Sequence, residues 1–264
     1  MMTEESILLM KEGHIAKIVL NRPDKLNALD WPAQRLLTQK LDEVAEDKEI
    51  RVLIITGAGR AFSAGGDVSA QRERIDLSIA EKCEGMKLGS KNPLKIRKLP
   101  IPVIAMINGV AVGAGCNLAL ACDIVIASEK ARFSQAFVKV GLVQDYGGSY
   151  LLSTLVGTKK ACELVFTGDM IDAQEALRIG MINTVVPEGE LQKVTEEMAA
   201  RIADRAPLAV SVAKRSIYDA YEKSDLEAAL EAEVYVQGFL MQTEDHKEGT
   251  TAFLEKRDPQ FKGK

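Results

Sequence analysis

The stretch "INGVAVGAGCNLALACDIVIAS", residues 107–128, joins two apolar runs through a glycine-rich turn and a helical pattern. The first run begins upstream as "PVIAMI", and the second run is "DIVIAS". Both are apolar apart from their end residues, as expected of strands that are buried on both faces of a sheet. A helix between two such strands packs outside the sheet, so the stretch predicts an α/β fold.

The same alternation extends towards the start of the chain. A buried strand is predicted at residues 52–57, "VLIITG", and another strand at residues 15–20, "IAKIVL". Between them a helix begins after Asp30, which is expected to be its N-cap, with Pro32 in the first turn. The chain therefore repeats a unit of strand, turn and helix.

The last part of the chain has a different pattern. From residue 190 it is helical almost without interruption, and Pro207 begins a further helix. One helix face repeats four apolar residues: Leu191, Val194, Met198 and Ile202. We interpret residues 1–200 as one core that holds the substrate site and residues 201–264 as a helical region for oligomerisation.

The composition argues against several classes of function. The chain has 264 residues and a net charge of −4, from 34 basic and 38 acidic residues. Nonspecific binding to nucleic acid needs a basic surface, so no nucleic-acid partner is expected. The cysteines show no CxxC spacing and no histidines at zinc-ligand intervals, so no metal site is expected. We interpret all four as reduced core residues: Cys83, Cys116, Cys122 and Cys162.

One uncharged stretch, residues 99–122, is long enough to cross a bilayer. It contains two prolines, two asparagines and several glycines, which favour a strand, a tight turn and a buried helix instead. The chain opens with "MMTEESILLMKEGH", where acids precede a short apolar run, unlike a secretory signal. A cytoplasmic protein without a membrane span is therefore expected.

Two glycine-rich turns follow apolar strands, at residues 55–67 and 107–120. Glycine lets the backbone approach a ligand closely and point its N–H groups outward. The second turn leads into a helix, whose N-terminus stabilises negative charge. If the turns converge, they form an oxyanion hole; the alternative is tight packing between strand and helix.

Five stretches in this order resemble the enoyl-CoA hydratase/isomerase (crotonase) superfamily. They are "NRPDKLNAL" at 21–29, "AFSAGGD" at 61–67, "INGVAVGAGCNLALACDIVIAS" at 107–128, "VGLVQDYGGSYLL" at 140–152 and "TAFLEKRDPQF" at 251–261. The resemblance implies a spiral of strand-strand-helix repeats, assembled as a homotrimer or a dimer of trimers. It also implies an acyl-CoA thioester substrate and no cofactor beyond its CoA moiety.

The resemblance implies roles for particular residues. The thioester oxygen would accept hydrogen bonds from the backbone N–H groups of Ala64 and Gly115, which stabilise an enolate. The positions that match the CoA contacts of the family are Lys25, Leu26, Ala28, Gly65, Gly66, Asp67, Phe253 and Lys256. Phe253 and Lys256 would reach the CoA of a neighbouring subunit. Simpler alternatives remain, namely a solvated turn for Lys25 and a helix cap for Asp67.

The chain departs from the hydratases of this superfamily at two positions. Their two catalytic glutamates correspond to Asn117 and Phe137 here. Asn117 can orient a water but has no proton to exchange near neutral pH, and Phe137 can do neither. The paired carboxylates that add water to a double bond are therefore missing.

Between Lys139 and Lys159, Asp145 is the only aspartate, glutamate, lysine, arginine or histidine. One residue separates Asp145 from a Gly-Gly pair, and this local sequence also suits a turn or a helix cap. However, residues 143–148, "VQDYGG", resemble the Val-Pro-Asp-x-Gly-Gly stretch of the 1,2-epoxyphenylacetyl-CoA isomerase branch and related enoyl-CoA isomerases. In that branch the aspartate transfers the proton, so Asp145 is predicted to be the acid/base.

The leading hypothesis is therefore an enoyl-CoA isomerase in which Asp145 moves a proton between two carbons. The first alternative is an enoyl-CoA hydratase that uses Asp145 and a water bound by Asn117; a more remote one is a non-catalytic, RNA-binding member. His14 and His246 lie outside every motif and are predicted to be at the surface. Their position argues against a Ser-His hydrolase and against the dehalogenase branch, which relies on a histidine base.

Overall fold

The computed structural model describes residues 5–223 and 225–264. Residues 1–4, on which the expectation of no signal segment partly rests, lie outside the described residues. Strands of one sheet lie in the order β1-β2-β3-β5-β7-β10, and only the β1–β2 pair is antiparallel. Their bounds are β1 Ile7–Glu12, β2 Ile15–Leu20, β3 Val52–Gly57, β5 Val103–Ile107, β7 Ile124–Ser128 and β10 Thr184–Val186.

A second, smaller sheet has the order β4-β6-β8-β9. Its strands are β4 Ala61–Ser63, β6 Val110–Val112, β8 Arg132–Ser134 and β9 Met170–Asp172. Strands β3 to β8 alternate between the two sheets, so each repeat gives one strand to each sheet. This arrangement is the predicted spiral of strand-strand-helix units, and it confirms the α/β fold.

Helices surround the two sheets and form the last part of the chain. Their bounds are α1 Trp31–Glu46, α2 Val68–Glu73, α3 Ile79–Gly89, α4 Asn92–Lys98, α5 Ala114–Ala121, α6 Gly148–Thr167, α7 Ala173–Arg178, α8 Leu191–Ala203, α9 Pro207–Lys223, α10 Leu226–Leu240 and α11 Glu244–Glu255. Helix α6 is interrupted at Gly157. In the described residues no helix is long and apolar enough to span a membrane.

Local signals in the sequence are confirmed where they act within one element. Asp30 caps α1 by accepting a hydrogen bond from the Ala33 N–H, and Pro32 lies in the first turn. All six residues of β3 are buried, as are all five of β5. Burial of these strands on both faces explains their continuous apolar sequence.

The prediction about the cysteines is only half right. Cys116 and Cys122 are buried, whereas Cys83 and Cys162 are exposed on helices α3 and α6. Cys116 and Cys122 belong to the hydrophobic core, where burial raises the pKa of the Cys116 thiol to about 12. An amphipathic helix tolerates cysteine on either face, so composition alone could not separate the two pairs.

Candidate active site

The two glycine-rich turns converge at one edge of the small sheet. Strands β4 and β6 pair in parallel, so the turns that follow them leave the sheet side by side. A Cβ atom on Gly65 would lie 2.5 Å from the Val112 carbonyl oxygen and 3.3 Å from the Ala114 nitrogen. A Cβ atom on Gly115 would lie 2.5 Å from the Ser63 carbonyl oxygen. Both glycines are therefore required by the close approach of the two backbones.

The predicted role of Ala64 as an oxyanion donor is wrong. Its N–H already donates to the Leu26 carbonyl oxygen at 2.8 Å. Gly66, two residues after Ala64, forms a parallel β-bridge with Leu29. In this bridge the Leu29 N–H donates to the Gly65 carbonyl oxygen, and the Asp67 N–H donates to the Leu29 carbonyl oxygen. In such a bridge the N–H of the central residue points away from its partner, so the Gly66 N–H is left without a partner among the described residues.

The second set of donors lies at the start of helix α5. The N-cap residue is Gly113, which has φ of 54° and supplies no side-chain cap. Within the described residues the N–H groups of Ala114 and Gly115 have no hydrogen-bond partner. The first N–H groups of a helix carry partial positive charge, so an anionic oxygen is stabilised in front of them. The site therefore offers Gly66 on one turn and Ala114 or Gly115 on the other.

Asp145 lies in the loop that precedes helix α6. The helix has Gly147 as its N-cap, without a side-chain bond, so Asp145 does not cap it. The carboxyl oxygen Oδ1 of Asp145 is buried and has no hydrogen-bond partner among the described residues. Burial raises the pKa of Asp145 from 3.8 to about 6, outweighing its own backbone hydrogen bond. A carboxyl with this pKa and with one oxygen unpartnered among the described residues is suited to exchange protons near neutral pH.

Asn117 does not hold a water with a free amide, as the hydratase alternative requires. It is fully buried in helix α5, where its Nδ2 donates to the Asp145 carbonyl oxygen at 2.9 Å. Its Oδ1 accepts a hydrogen bond of 2.8 Å from Gln135 Nε2. The amide is therefore engaged at both ends in connecting two loops. Sequence reasoning missed Gln135 because the residue matters only through this contact.

Phe137 occupies the second position at which the hydratases have a glutamate. Its ring is 9% exposed and covers the N-cap of α5, since a Cβ atom on Gly113 would lie 3.5 Å from its Cζ. The ring supplies an apolar wall and no proton. Neither a cation nor a second acid from the described residues contributes to the shift in the pKa of Asp145. Asp145 is thus without an acidic or basic partner among the described residues.

The predicted CoA-binding segment forms a strained turn before helix α1. Leu26 and Asn27 both have positive φ, at 49° and 57°. Asn27 stabilises this turn because its Nδ2 donates to the carbonyl oxygens of Ala58 and Ala61. Ala28 is buried, at 8% exposure. The role of Asn27 was not predicted, although asparagine is one of the few residues that adopt this conformation readily.

Asp67 is confirmed as a helix cap. Its Oδ1 accepts from the Ala70 N–H at 3.1 Å, and its Oδ2 lies 3.0 Å from Arg22 Nη2. Burial raises its pKa, but the bonds from Ala70 and Arg22 outweigh that effect and leave the pKa lowered. Lys25 Nζ is 3.4 Å from the same carboxylate, and its side chain is half exposed. Asp67 is therefore engaged within the protein, while Lys25 retains access to solvent.

Phe253 and Lys256, the two predicted CoA contacts near the C-terminus, lie at the end of helix α11 and not in the glycine-rich turns. Phe253, on helix α11, is 81% exposed, and Lys256 is its C-cap residue, with φ of 57°. Phe253 borders a cavity of about 520 Å³ whose other walls come from residues 206–261. His14 and His246 are exposed, as predicted. Among the described residues no cluster of three or more metal-ligating side chains is found.

The chain is similar to known proteins along nearly its whole length. Residues 10–264 match the family model described as enoyl-CoA hydratase/isomerase. The chain is 41% identical to the short-chain-enoyl-CoA hydratase of Clostridium acetobutylicum, covering 96% of this chain and 95% of the relative. It is 38% identical to the 1,2-epoxyphenylacetyl-CoA isomerase of Escherichia coli, covering 98% and 99%. The crystal structure of the enoyl-CoA hydratase from Bacillus anthracis superposes with a TM-score of 0.93 at 35% identity, covering 98% of this chain and all of that one.

Proposed function

Because the chain belongs to the enoyl-CoA hydratase/isomerase family, we propose that it isomerises an enoyl-CoA thioester by proton transfer through Asp145. The observation that carries this proposal is the buried carboxyl group of Asp145, whose Oδ1 has no partner among the described residues and whose pKa is raised to about 6. One carboxylate can remove a proton from one carbon and return it to another. Adding water in the manner of the two-glutamate enzymes needs a second acid or base.

The proposed reaction begins with a 3-enoyl-CoA whose thioester oxygen accepts hydrogen bonds from Gly66 and from Ala114 or Gly115. The Asp145 carboxylate removes a proton from C2, and the electron pair moves into the thioester to give a dienolate. The backbone N–H groups stabilise the oxyanion of this intermediate, and one such donor is typically worth about 10²–10³ in rate. Asp145 then returns the proton to C4, which leaves a 2-enoyl-CoA.

Hydration is the second candidate, because most of the similar proteins are named hydratases. One of these is 41% identical to this chain and another is 38% identical. The names alone therefore favour hydration over isomerisation. A hydratase of this sequence would need Asp145 both to activate the water and to protonate C2. The engaged amide of Asn117 offers little help in holding that water.

We expect the two candidates to separate when the protein is given crotonyl-CoA and a 3-enoyl-CoA in parallel. A proton shuttle with one carboxylate should convert the 3-enoyl-CoA faster than it hydrates crotonyl-CoA, by a factor of about 10² or more. Product identity is read by liquid chromatography and mass spectrometry, since hydration adds the mass of water. Faster hydration than isomerisation would make hydration the function and end the isomerase proposal.

We also propose a homotrimer or a dimer of trimers, formed through the C-terminal helices. Helix α10 exposes an apolar stripe at Leu226, Leu230 and Val234, which are 74%, 54% and 70% exposed. The spacing of four residues places them on one face, and an exposed apolar stripe indicates an interaction surface. In this assembly Phe253 and Lys256 would contact the CoA of a neighbour, together with Lys25 of the subunit that holds it.

We expect the double substitution Leu230→Glu/Val234→Glu to dissociate the assembly. Burying two carboxylates in an apolar contact costs several kcal/mol, which exceeds what a subunit contact tolerates. Light scattering coupled to size-exclusion chromatography measures the mass directly. The matched control is Ala228→Glu/Ala232→Glu, which adds the same charge at exposed positions on another face of α10. An unchanged mass for both variants would place the contact elsewhere.

A further inference from the structure

The contacts that other residues make with Asp145 are to its backbone carbonyl and not to its buried carboxyl oxygen. Its carbonyl oxygen accepts two hydrogen bonds, from the Gly148 N–H at 2.9 Å and from Asn117 Nδ2 at 2.9 Å. Its carboxyl oxygen Oδ1 accepts none from the residues that the structure describes. A bond to the carboxylate would favour the ionised form and lower its basicity, whereas a bond to the carbonyl does not. These contacts therefore fix the position of the carboxyl group without lowering its basicity.

The orientation of the Asn117 amide is set in turn by Gln135. Gln135 Nε2 donates to Asn117 Oδ1 at 2.8 Å, so the Nδ2 group of Asn117 must face Asp145. Both residues are almost fully buried, at 0% and 3% exposure, so no water competes for these bonds. A rotated Asn117 amide would place two oxygen atoms against each other at the Asp145 end and two N–H donors against each other at the Gln135 end, which is unfavourable.

The packing around Asn117 leaves no freedom for a different arrangement. A Cβ atom on Gly148 would lie only 2.2 Å from Asn117 Nδ2, so the first residue of helix α6 rests directly on the amide. Helices α5 and α6 are therefore in direct contact next to the loop that contains Asp145. Asn117 connects the helix that carries the oxyanion donors to the loop that carries the acid/base.

We infer that Asn117 and Gln135 are positioning residues, which fix Asp145 relative to the oxyanion donors at the start of α5. The inference rests on the proposed role of Asp145 in proton transfer. A carbon acid reacts only when the base lies in line with its C–H bond, and a displacement of about 1 Å can reduce the rate by about 10²-fold. Gln135 acts through Asn117, and Asn117 acts through the Asp145 carbonyl.

The test compares Asn117→Ala, Gln135→Met and the double variant with the wild type on a 3-enoyl-CoA. Asn117→Ala removes the amide without adding atoms, and Gln135→Met keeps the length of the side chain but cannot donate. We expect kcat to fall by about 10²-fold for Asn117→Ala and by about 10-fold for Gln135→Met, with KM unchanged. The double variant should be no slower than Asn117→Ala, because the two residues act in series.

A destabilised control separates positioning from folding. Ile54→Ala removes a buried side chain in the cluster between the large sheet and helix α8, on the other side of that sheet from α5. It should lower the melting temperature at least as much as Asn117→Ala while kcat stays within about 2-fold of the wild type. Equal losses of kcat in all three single variants would indicate a general loss of stability and would overturn the inference.

Different results would contradict the proposed function of Asp145 and the positioning role of Asn117 and Gln135. If Asp145→Asn retains activity, the proposed function is wrong whatever Asn117 does. If Asp145→Asn is inactive but Asn117→Ala and Gln135→Met keep the wild-type kcat, only the positioning role is wrong. A rise in KM at unchanged kcat would make Asn117 a residue for substrate binding, which also overturns the inference.

Discussion

Asp145→Asn is expected to reduce turnover of a 3-enoyl-CoA by roughly 10²–10⁴-fold, with the fold and CoA binding intact. The asparagine keeps the size of the side chain and both backbone hydrogen bonds of the residue, but it cannot carry the proton. Initial rates and CoA affinity are measured on the same preparation. The matched control is Asp169→Asn, an exposed carboxylate near Lys139, which should leave the rate unchanged.

The stability of the same variant provides a second observation. The raised pKa of Asp145 means that the folded state favours the neutral carboxyl. This contribution to stability is fully present below about pH 4 and is lost as the pH rises through about 6. Asp145→Asn does not ionise, so it should be more stable than the wild type above pH 6, by about 3 kcal/mol at most. A residue kept only for a turn would instead lose stability on substitution.

Gly65→Ala is expected to reduce activity by about 10²–10³-fold, the worth of one oxyanion donor. Gly65 has φ of 89°, and its added Cβ atom would lie 2.5 Å from the Val112 carbonyl oxygen. The turn must move away from β6, which carries the neighbouring Gly66 N–H away from the start of α5. The effect should appear in kcat more than in KM, because the donors act on the charge that develops in the transition state.

Gly66→Ala is the matched control for that substitution. Its Cβ atom would meet the end of the Gln71 side chain, at 2.8 Å from Nε2, and a flexible side chain can rotate away. We expect a loss of less than about 10-fold, because the backbone N–H stays in place. If Gly66→Ala were as damaging as Gly65→Ala, the turn would be sensitive to any added atom and the assignment of its N–H would lose its support.

The elements that depend only on residues adjacent in the sequence could be predicted from it. The buried strand Val52–Gly57 is continuously apolar, and Asp30 with Pro32 marks the start of α1, so both follow from local chemistry. The convergence of the two glycine turns was left open by the sequence, because it depends on the parallel pairing of the short strands β4 and β6. The family resemblance then supplied Asp145 as the acid/base, a role that remains a prediction.

The details of the site depend on contacts between distant residues, so the sequence could not show them. Two contacts decide which N–H points into the site: the Ala64 N–H donates to the Leu26 carbonyl, and the pairing of Leu29 with Gly66 leaves the Gly66 N–H without a partner among the described residues. The amide of Asn117 is engaged by Gln135 and by the Asp145 carbonyl, 18 and 28 residues away along the chain. A motif shows which residue types are present, but the hydrogen-bond partners determine what each can do.

Incorporation of deuterium from D2O into a bound 3-enoyl-CoA tests the role of Asp145 most directly. Exchange of the C2 proton requires only the enolate and its base, so it reports proton transfer whether the complete reaction is isomerisation or hydration. We expect the wild type to exchange this proton and Asp145→Asn to show no exchange above the uncatalysed rate while it binds the same thioester. Exchange by Asp145→Asn at the wild-type rate would show that another group is the base.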